Sequence, residues 1–192
     1  TVTDASGNTM SCASVVMVLD TIAPTVICQD ITLALDSTGT ANITGIELDG
    51  GTTDNCAGLG FSSDISTFNT VGNYTVILTV TDASGNSSMC SASVTVVDSI
   101  PPTVLCQPAT IYLDASGNAN ITAADIDGGS GDNVGITSLT ASQTAFDCAD
   151  VGANEVTLIA LDAYGNSDSC ITVVTVLDTI APNVVCQNIT IS

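Results

Sequence analysis

The chain has 192 residues with 20 carboxylates and no lysine, arginine or histidine, a formal charge of −20. Nucleic-acid phosphates and anionic lipids are bound chiefly through basic side chains, so both are excluded as partners. A Ser-His-Asp triad, a Cys-His pair, a Schiff-base lysine, a P-loop lysine and a Lys-Asn isopeptide bond are excluded on the same ground.

Acidic chains of low hydrophobicity stay disordered, but 45% of these residues are apolar, so the chain is expected to fold. Its Val, Ile and Thr residues favour pleated strands, and 16 glycines with frequent Asp and Asn supply turns. The longest apolar runs, such as Ala13 to Leu19, are about seven residues, far below the roughly 20 of a membrane-crossing helix. No charged leader opens the chain at Thr1, and export signals are expected outside these residues.

Read in chain order, residues 1–20 carry the turn Asp4-Ala5-Ser6-Gly7-Asn8 and then Cys12, and are expected to be the C-terminal hairpin of a preceding repeat. Asp20-Thr21-Ile22-Ala23-Pro24 and the residues up to Cys28-Gln29 return at Asp98 to Gln107 and again at Asp178 to Gln187, spaced by 78 and then 80 residues. Asp49-Gly50-Gly51 with Asp54-Asn55 returns as Asp127-Gly128-Gly129 with Asp132-Asn133. The turn Asp82 to Asn86 returns as Asp162 to Asn166.

A period this long means an array of domains. Boundaries follow Asp20, Asp98 and Asp178, where Pro removes a backbone donor. The expected domains are 21–98 and 99–178, with 179–192 the first strand of a following repeat.

Within residues 21–98, strands are expected over Thr25 to Cys28, Ile31 to Leu35, Ala41 to Ile46, Leu59 to Ser62, Ile65 to Phe68, Tyr74 to Thr81 and Cys90 to Val97. The last two show the two-residue alternation of a half-buried strand and flank the Asp82 turn as a hairpin. Seven short strands in so few residues indicate an all-β fold, a tandem series of immunoglobulin-like β-sandwiches joined end to end.

Eight cysteines without histidine and without a Cys-x-x-Cys pair argue for disulfides in an oxidising compartment over zinc or redox sites. Cys28 pairs with Cys90 and Cys106 with Cys170 on the expectation that first and last strands of a sandwich run parallel. The alternative, Cys90 with Cys106, would have to close an extended stretch of roughly 50 Å, against a Cα separation of about 7 Å or less in a disulfide. Cys12 and Cys186 are the matching halves of pairs with parts outside these residues.

Cys56 and Cys148 are each half of a second pair. Cys56 has Val134 as its counterpart, and Cys148 lies in a two-residue insertion that the first repeat lacks. A bridge between successive repeats, a lateral bridge between chains and free thiols are the three readings. The first accounts for both partners being missing together at the junction inside this chain.

The recurring aspartates and asparagines, Asp4, Asn8, Asp20, Asp54, Asp82, Asn86, Asp98, Asp132, Asp162, Asn166 and Asp178, admit two readings. Asp-x-x-Gly-Asn is ordinary hairpin chemistry, with Asp accepting from backbone and Gly at positive φ. The same oxygens suit calcium, which takes six to eight oxygen ligands and is bound weakly by extracellular modules. No EF-hand ligand ladder is present.

Paired carboxylates alone could support glycosidase or aspartic-protease chemistry, but domains this small offer little interior for a cleft, and an enzyme is not expected. Sugar-binding platforms generally use exposed aromatics, and the chain has no Trp. Asn-x-Ser/Thr sequons occur at Asn42, Asn73, Asn86, Asn120 and Asn188.

The run Thr81-Asp82-Ala83-Ser84-Gly85-Asn86, then Cys90, Val94-Thr95-Val96, Asp98 and Pro101-Pro102, resembles the hyalin-repeat family. The closer likeness is to tandem repeats of very large Bacteroidota surface proteins, including gliding-motility adhesins. The resemblance covers essentially the whole chain and implies immunoglobulin-like sandwiches exported to the cell surface. It further implies O-glycosylation at Thr21, Ser37, Ser99 and Thr179, which match the Asp-Ser/Thr pattern of that group. The expected role is a non-catalytic stalk or filament segment of an adhesin, its partners being neighbouring repeats and lateral copies. The alternative is a carbohydrate- or protein-binding module in its own right.

Overall fold

The computed structural model describes residues 1–189. The end of the strand expected over 179–192, and Thr190 of the Asn188 sequon, lie outside the described residues. Fourteen strands run in order: β1 (Val2–Thr3), β2 (Thr9–Met10), β3 (Ile31–Ala34), β4 (Ala41–Asn42), β5 (Gly60–Ser63), β6 (Thr67–Phe68), β7 (Gly72–Thr81), β8 (Ser87–Val97), β9 (Ala109–Tyr112), β10 (Asn118–Asn120), β11 (Ile136–Ala141), β12 (Ala145–Asp147), β13 (Gly152–Asp162) and β14 (Ser167–Leu177). The fold is all-β, interrupted among the described residues only by short 3-10 helices at Gly45–Leu48, Ala123–Ile126 and Cys148–Asp150. Residues 179–189 carry no strand.

Two compact units are present. One comprises Thr1–Ile31, Ile43–Ser66 and Tyr74–Val94, and the other comprises Thr32–Asn42, Thr67–Asn73 and the residues from Thr95 on. In the first unit, β1 and β2 close the hairpin around Asp4, and β5 pairs antiparallel with β7, from Gly60↔Thr81 to Ser63↔Leu78. The alternation in β7 sets its face: Val76, Leu78 and Val80 are buried while Thr75 and Ile77 face out. The sheet that includes β5 has the order β3-β8-β7-β5.

The second unit repeats that order with counterpart strands, β11-β13-β14-β9, and β9 lies parallel to β14, Ala109 opposite Val174 and Tyr112 opposite Leu177. Its second layer is the antiparallel pair β10–β12. Between the layers sit Ala119, Ile121 and Phe146 from one side and Val156, Leu158, Val174 and Val176 from the other. Burying Phe146 in that core is a large favourable term, since aromatic side chains dominate the apolar area of small domains.

Two of the expected strands are shorter than the apolar pattern suggests. Thr25 to Cys28 makes only isolated bridges, Thr25↔Thr53 and Cys28↔Asp49. The ladder expected over Ala41 to Ile46 ends at Asn42, because Thr44 opens a capping box: its N–H and its hydroxyl both donate to Glu47 Oε2 at 2.7 Å, turning Gly45–Leu48 into a 3-10 helix. Thr122 and Asp125 do the same in the counterpart segment.

Candidate metal centres

Each Asp-x-x-Gly-Asn turn is built by its aspartate. Asp82 Oδ1 accepts from the N–H of Ser84 at 2.9 Å and of Asn86 at 2.8 Å, and Oδ2 accepts from Asn86 Nδ2 at 2.7 Å. Gly85 takes φ +92°, a conformation that a Cβ would disfavour. Asp162 and Asp4 hold their turns with the same three bonds. The turn reading of these residues is therefore physically present, and any metal role is additional to it.

Folding brings a linker aspartate, a loop aspartate and a turn aspartate together twice. Asp20, Asp54 and Asp82 each place one carboxylate oxygen within 4.8 Å of the others, and Asp98, Asp132 and Asp162 do likewise. The members of each trio are scattered in sequence. Asp98, which precedes the expected boundary, closes with Asp132 and Asp162 instead of with Asp82. No such trio forms around Asp4 or Asp178 among the described residues.

The surroundings of the two trios match. Asp20 Oδ1 accepts from the Ile22 N–H at 3.1 Å and from Asn55 Nδ2 at 3.2 Å. Asp98 Oδ1 accepts from the Ile100 N–H at 3.3 Å and from Asn133 Nδ2 at 3.0 Å. The loop aspartates accept from the N–H two residues on: Asp54 Oδ2 from Cys56 at 3.0 Å, and Asp132 Oδ2 from Val134 at 2.9 Å. Asn86 and Asn166 turn their amide nitrogens to the linkers, Asn86 Nδ2 to the Asp20 carbonyl at 3.2 Å and Asn166 Nδ2 to Asp98 Oδ2 at 3.4 Å. They act as donors that position the linker.

After these bonds, four enclosed side-chain oxygens among the described residues have no donor: Asp20 Oδ2 and Asp54 Oδ1 in one trio, Asp132 Oδ1 in the other, and Asn133 Oδ1 beside it. Buried acceptors are normally satisfied, and the chain has no basic side chain to offset three converging carboxylates. A hard, oxygen-seeking cation meets both requirements, and calcium is the one whose ligand chemistry is carboxylate, amide and carbonyl oxygen.

Hydrogen bonding and burial act on the trios in opposite senses. Burial works to raise the Asp82 carboxyl, and the Asn86 amide with the N–H groups of Asn86 and Ser84 more than offset it, leaving the group below the ordinary carboxyl range while the Asp20 charge pushes back. At Asp162 burial likewise works upward, and the Asn166 amide with the N–H groups of Tyr164 and Asn166 more than offsets it. The Ile22 N–H, the Asn55 amide and the Cys56 thiol hold Asp20 low. The Cys56 thiol is in turn pushed up, first by its hydrogen bond to Asp20 and then by burial and by the charges of Asp20, Asp54 and Asp82. Asp20 and Asp82 are thus both held below the ordinary carboxyl range although they converge on one another.

The cysteines divide in two groups. Cys28 is bonded to Cys90 and Cys106 to Cys170, with Cα separations of 5.9 and 6.0 Å. Cys12, Cys56, Cys148 and Cys186 are exposed and unbridged within the chain. Thr21, Ser37, Ser99 and Thr179 are exposed, as are Asn42, Asn73, Asn120 and Asn188. Asn86 differs, because its amide nitrogen is committed to Asp82 and Asp20, and a glycan on that nitrogen would compete with both bonds.

No family model matches the chain, and no curated protein matches it. Solved structures do. Protocadherin gamma B7 extracellular cadherin domains 1–4 are similar at 17% identity, covering 81% of this chain and 51% of that one, with TM-score 0.35. Human CDH23 EC21–23 gives 13% identity, 81% and 70% coverage and TM-score 0.38. Human mucin-like protocadherin EC1–2 gives 12% identity, 81% and 98% coverage and TM-score 0.34. The chain spans about half the length of the first two protocadherin structures it matches.

Proposed function

We propose that the chain is a segment of an extracellular stalk, a tandem series of immunoglobulin-like sandwiches over 21–98 and 99–178 whose entry linkers are fixed by calcium. The observation that carries this reading is the pair of carboxylate trios, Asp20/Asp54/Asp82 and Asp98/Asp132/Asp162, each enclosing oxygens that no donor reaches in a chain without one basic residue. The hyalin-repeat motifs support the same reading from the sequence side, and the two disulfides support an oxidising location.

In each trio, the linker aspartate is the residue immediately before the proline-containing segment, while the loop and turn aspartates belong to the sandwich that follows. A cation shared by the three ties the linker to the head of its domain. Asp54 and Asp132 supply donor-free oxygens, Asp20 and Asp98 bring the linker, and Asp82 and Asp162 are held in place by Asn86 and Asn166. When bound, calcium supplies charge neutralisation and coordination, and the work is structural.

The test is thermal unfolding of the 192-residue chain in excess chelator and in millimolar calcium. Because a ligand that binds only the folded state stabilises it by mass action, the melting temperature is expected to rise by several degrees for sites in the weak extracellular range. A melting temperature that is the same in both conditions overturns the calcium role.

A further inference from the structure

We infer that Cys148 forms a disulfide with the Cys56 counterpart of a following repeat, so that junctions locked by a covalent bridge alternate with junctions that have none. This rests on the tandem-sandwich reading above.

The junction inside the chain shows how one repeat receives the next. The turn Asp36 to Thr40 meets the loop holding Asn133: Asn133 Nδ2 donates to the Asp36 carbonyl at 3.2 Å, and a Cβ on Gly39 would stand 2.8 Å from the Asn133 carbonyl oxygen. The counterpart turn is Asp114 to Asn118. There a Cβ on Gly117 would stand 2.8 Å from Cys148 Sγ, and that sulfur lies 3.7 Å from the Gly117 carbonyl oxygen. Cys148 therefore occupies the side of the glycine turn on which the internal junction receives Asn133. The counterpart of Asn133-Val134 is Asn55-Cys56. A loop of that sequence, seated against the Gly117 turn as Asn133 is seated against the Gly39 turn, brings its Asn-Cys step alongside Cys148.

The linkers give an independent indication. The segment leading to the Cys56-bearing repeat is Asp20-Thr21-Ile22-Ala23-Pro24, and the segment that follows the Cys148-bearing repeat, Asp178-Thr179-Ile180-Ala181-Pro182, is identical. The linker of the cysteine-free junction is Asp98-Ser99-Ile100-Pro101-Pro102. The turn at Ser37 lines a cleft with Ile100 and Pro101, and the turn at Ala115 lines its counterpart with Ile180 and Ala181, where Cys148 joins the wall. Thus each Asp-Thr-Ile-Ala-Pro linker goes with one junction cysteine, and the Asp-Ser-Ile-Pro-Pro linker goes with none.

The bond forms by exchange. One thiol loses its proton and attacks a disulfide-bearing oxidant, such as oxidised glutathione or an oxidised dithiol protein. The second thiolate then displaces the oxidant's remaining thiolate, so that two thiols become one disulfide and the oxidant leaves as two thiols.

The experiment is a seamless duplication, residues 1–178 followed by residues 21–192, which preserves the native linker sequence at the join. Cys56→Ser in the first copy, Cys148→Ser in the second, and Cys12→Ser and Cys186→Ser leave one candidate pair. After refolding in a glutathione redox buffer and alkylation, the protein is cleaved at aspartates, because no lysine or arginine is available to trypsin. The expected result is complete protection of both thiols and a peptide linking Cys148 to the second copy's Cys56. Quantitative alkylation of both thiols while Cys28–Cys90 and Cys106–Cys170 are closed overturns the proposal, as does linkage between separate molecules. Failure of Cys28–Cys90 itself to close overturns the sandwich reading and this inference with it, and the peptide map tells the two failures apart.

Discussion

The side-chain amide of Asn86 donates to the backbone carbonyl of Asp20, 66 residues earlier in the chain, at 3.2 Å, while holding Asp82 Oδ2 at 2.7 Å. One planar group thus ties the hairpin turn to the linker, with the trio's third member, Asp54, alongside. Asn86→Ala removes both bonds and leaves acceptors unpaired, a loss on the order of 1–3 kcal/mol. The melting temperature is expected to fall in chelator, and the response to calcium to weaken. An unaltered calcium response would show that Asn86 does not position the trio.

The trios make a prediction of opposite signs in two conditions. Asp132→Asn removes one of three converging negative charges while keeping a side-chain oxygen, so in chelator the variant should equal or exceed the parent in melting temperature. In calcium it should fall below the parent, because a carboxylate ligand is lost. Calorimetric titration should lose about one calcium equivalent. A full calcium response in this variant would exclude the Asp98/Asp132/Asp162 trio as the site.

Reduction should act strongly on so small a fold. The Cys106–Cys170 bridge closes a loop with a sequence separation of 64, and on the chain-entropy model its removal costs about 4 kcal/mol. The Cys106→Ala/Cys170→Ala variant is expected to show a markedly lower denaturation midpoint in guanidinium, with little change in the calcium-free near-neutral spectrum of the folded state. An unchanged midpoint would show that β9 and β14 hold together without the bridge.

Acid should destabilise the calcium-free chain. Asp36 is lowered to about 2, first by the Thr38 hydroxyl and then by the N–H groups of Thr40 and Thr38. Asp114 and Asp4 are also held below their ordinary values by their own turns. Such groups bind fewer protons folded than unfolded, so their contribution is complete above the unfolded carboxyl range, about pH 4, and is lost as pH falls through the folded value. Asp36→Asn keeps the acceptor and removes the titration. Its melting temperature is expected to fall less steeply between about pH 4 and about pH 2 than the parent's, and equal slopes would assign the acid sensitivity elsewhere.

The all-β character is visible in the alternation of Val76, Leu78 and Val80 against Thr75 and Ile77, because a half-buried strand needs no tertiary information to show its period. The 3-10 helix at Gly45–Leu48 is different. Its apolar Ile46 and Leu48 continue a strand-like pattern, and only the Thr44-x-x-Glu47 capping signal reveals the turn. The aspartates of the trios recur at fixed places in each repeat, but their grouping depends on the folded path. Asp98 lies nearer to Asp82 along the chain than to Asp132 or Asp162, yet the linker carries it to the latter two. The role of Asn166 was hidden for the same reason: sequence shows a turn residue, and only folding shows where its nitrogen points.

The parallel pairing of β9 with β14 decides how the chain bears tension. A pull enters before β9 and leaves after β14, in opposite directions along neighbouring strands, so the hydrogen bonds from Val174↔Ala109 to Leu177↔Tyr112 are loaded together in shear instead of being peeled one at a time. If that ladder yields, Cys106–Cys170 takes the load and keeps everything between those cysteines out of the force path. This part of the chain can then lengthen only by the short flanks outside Cys106 and Cys170, a built-in limit on extension.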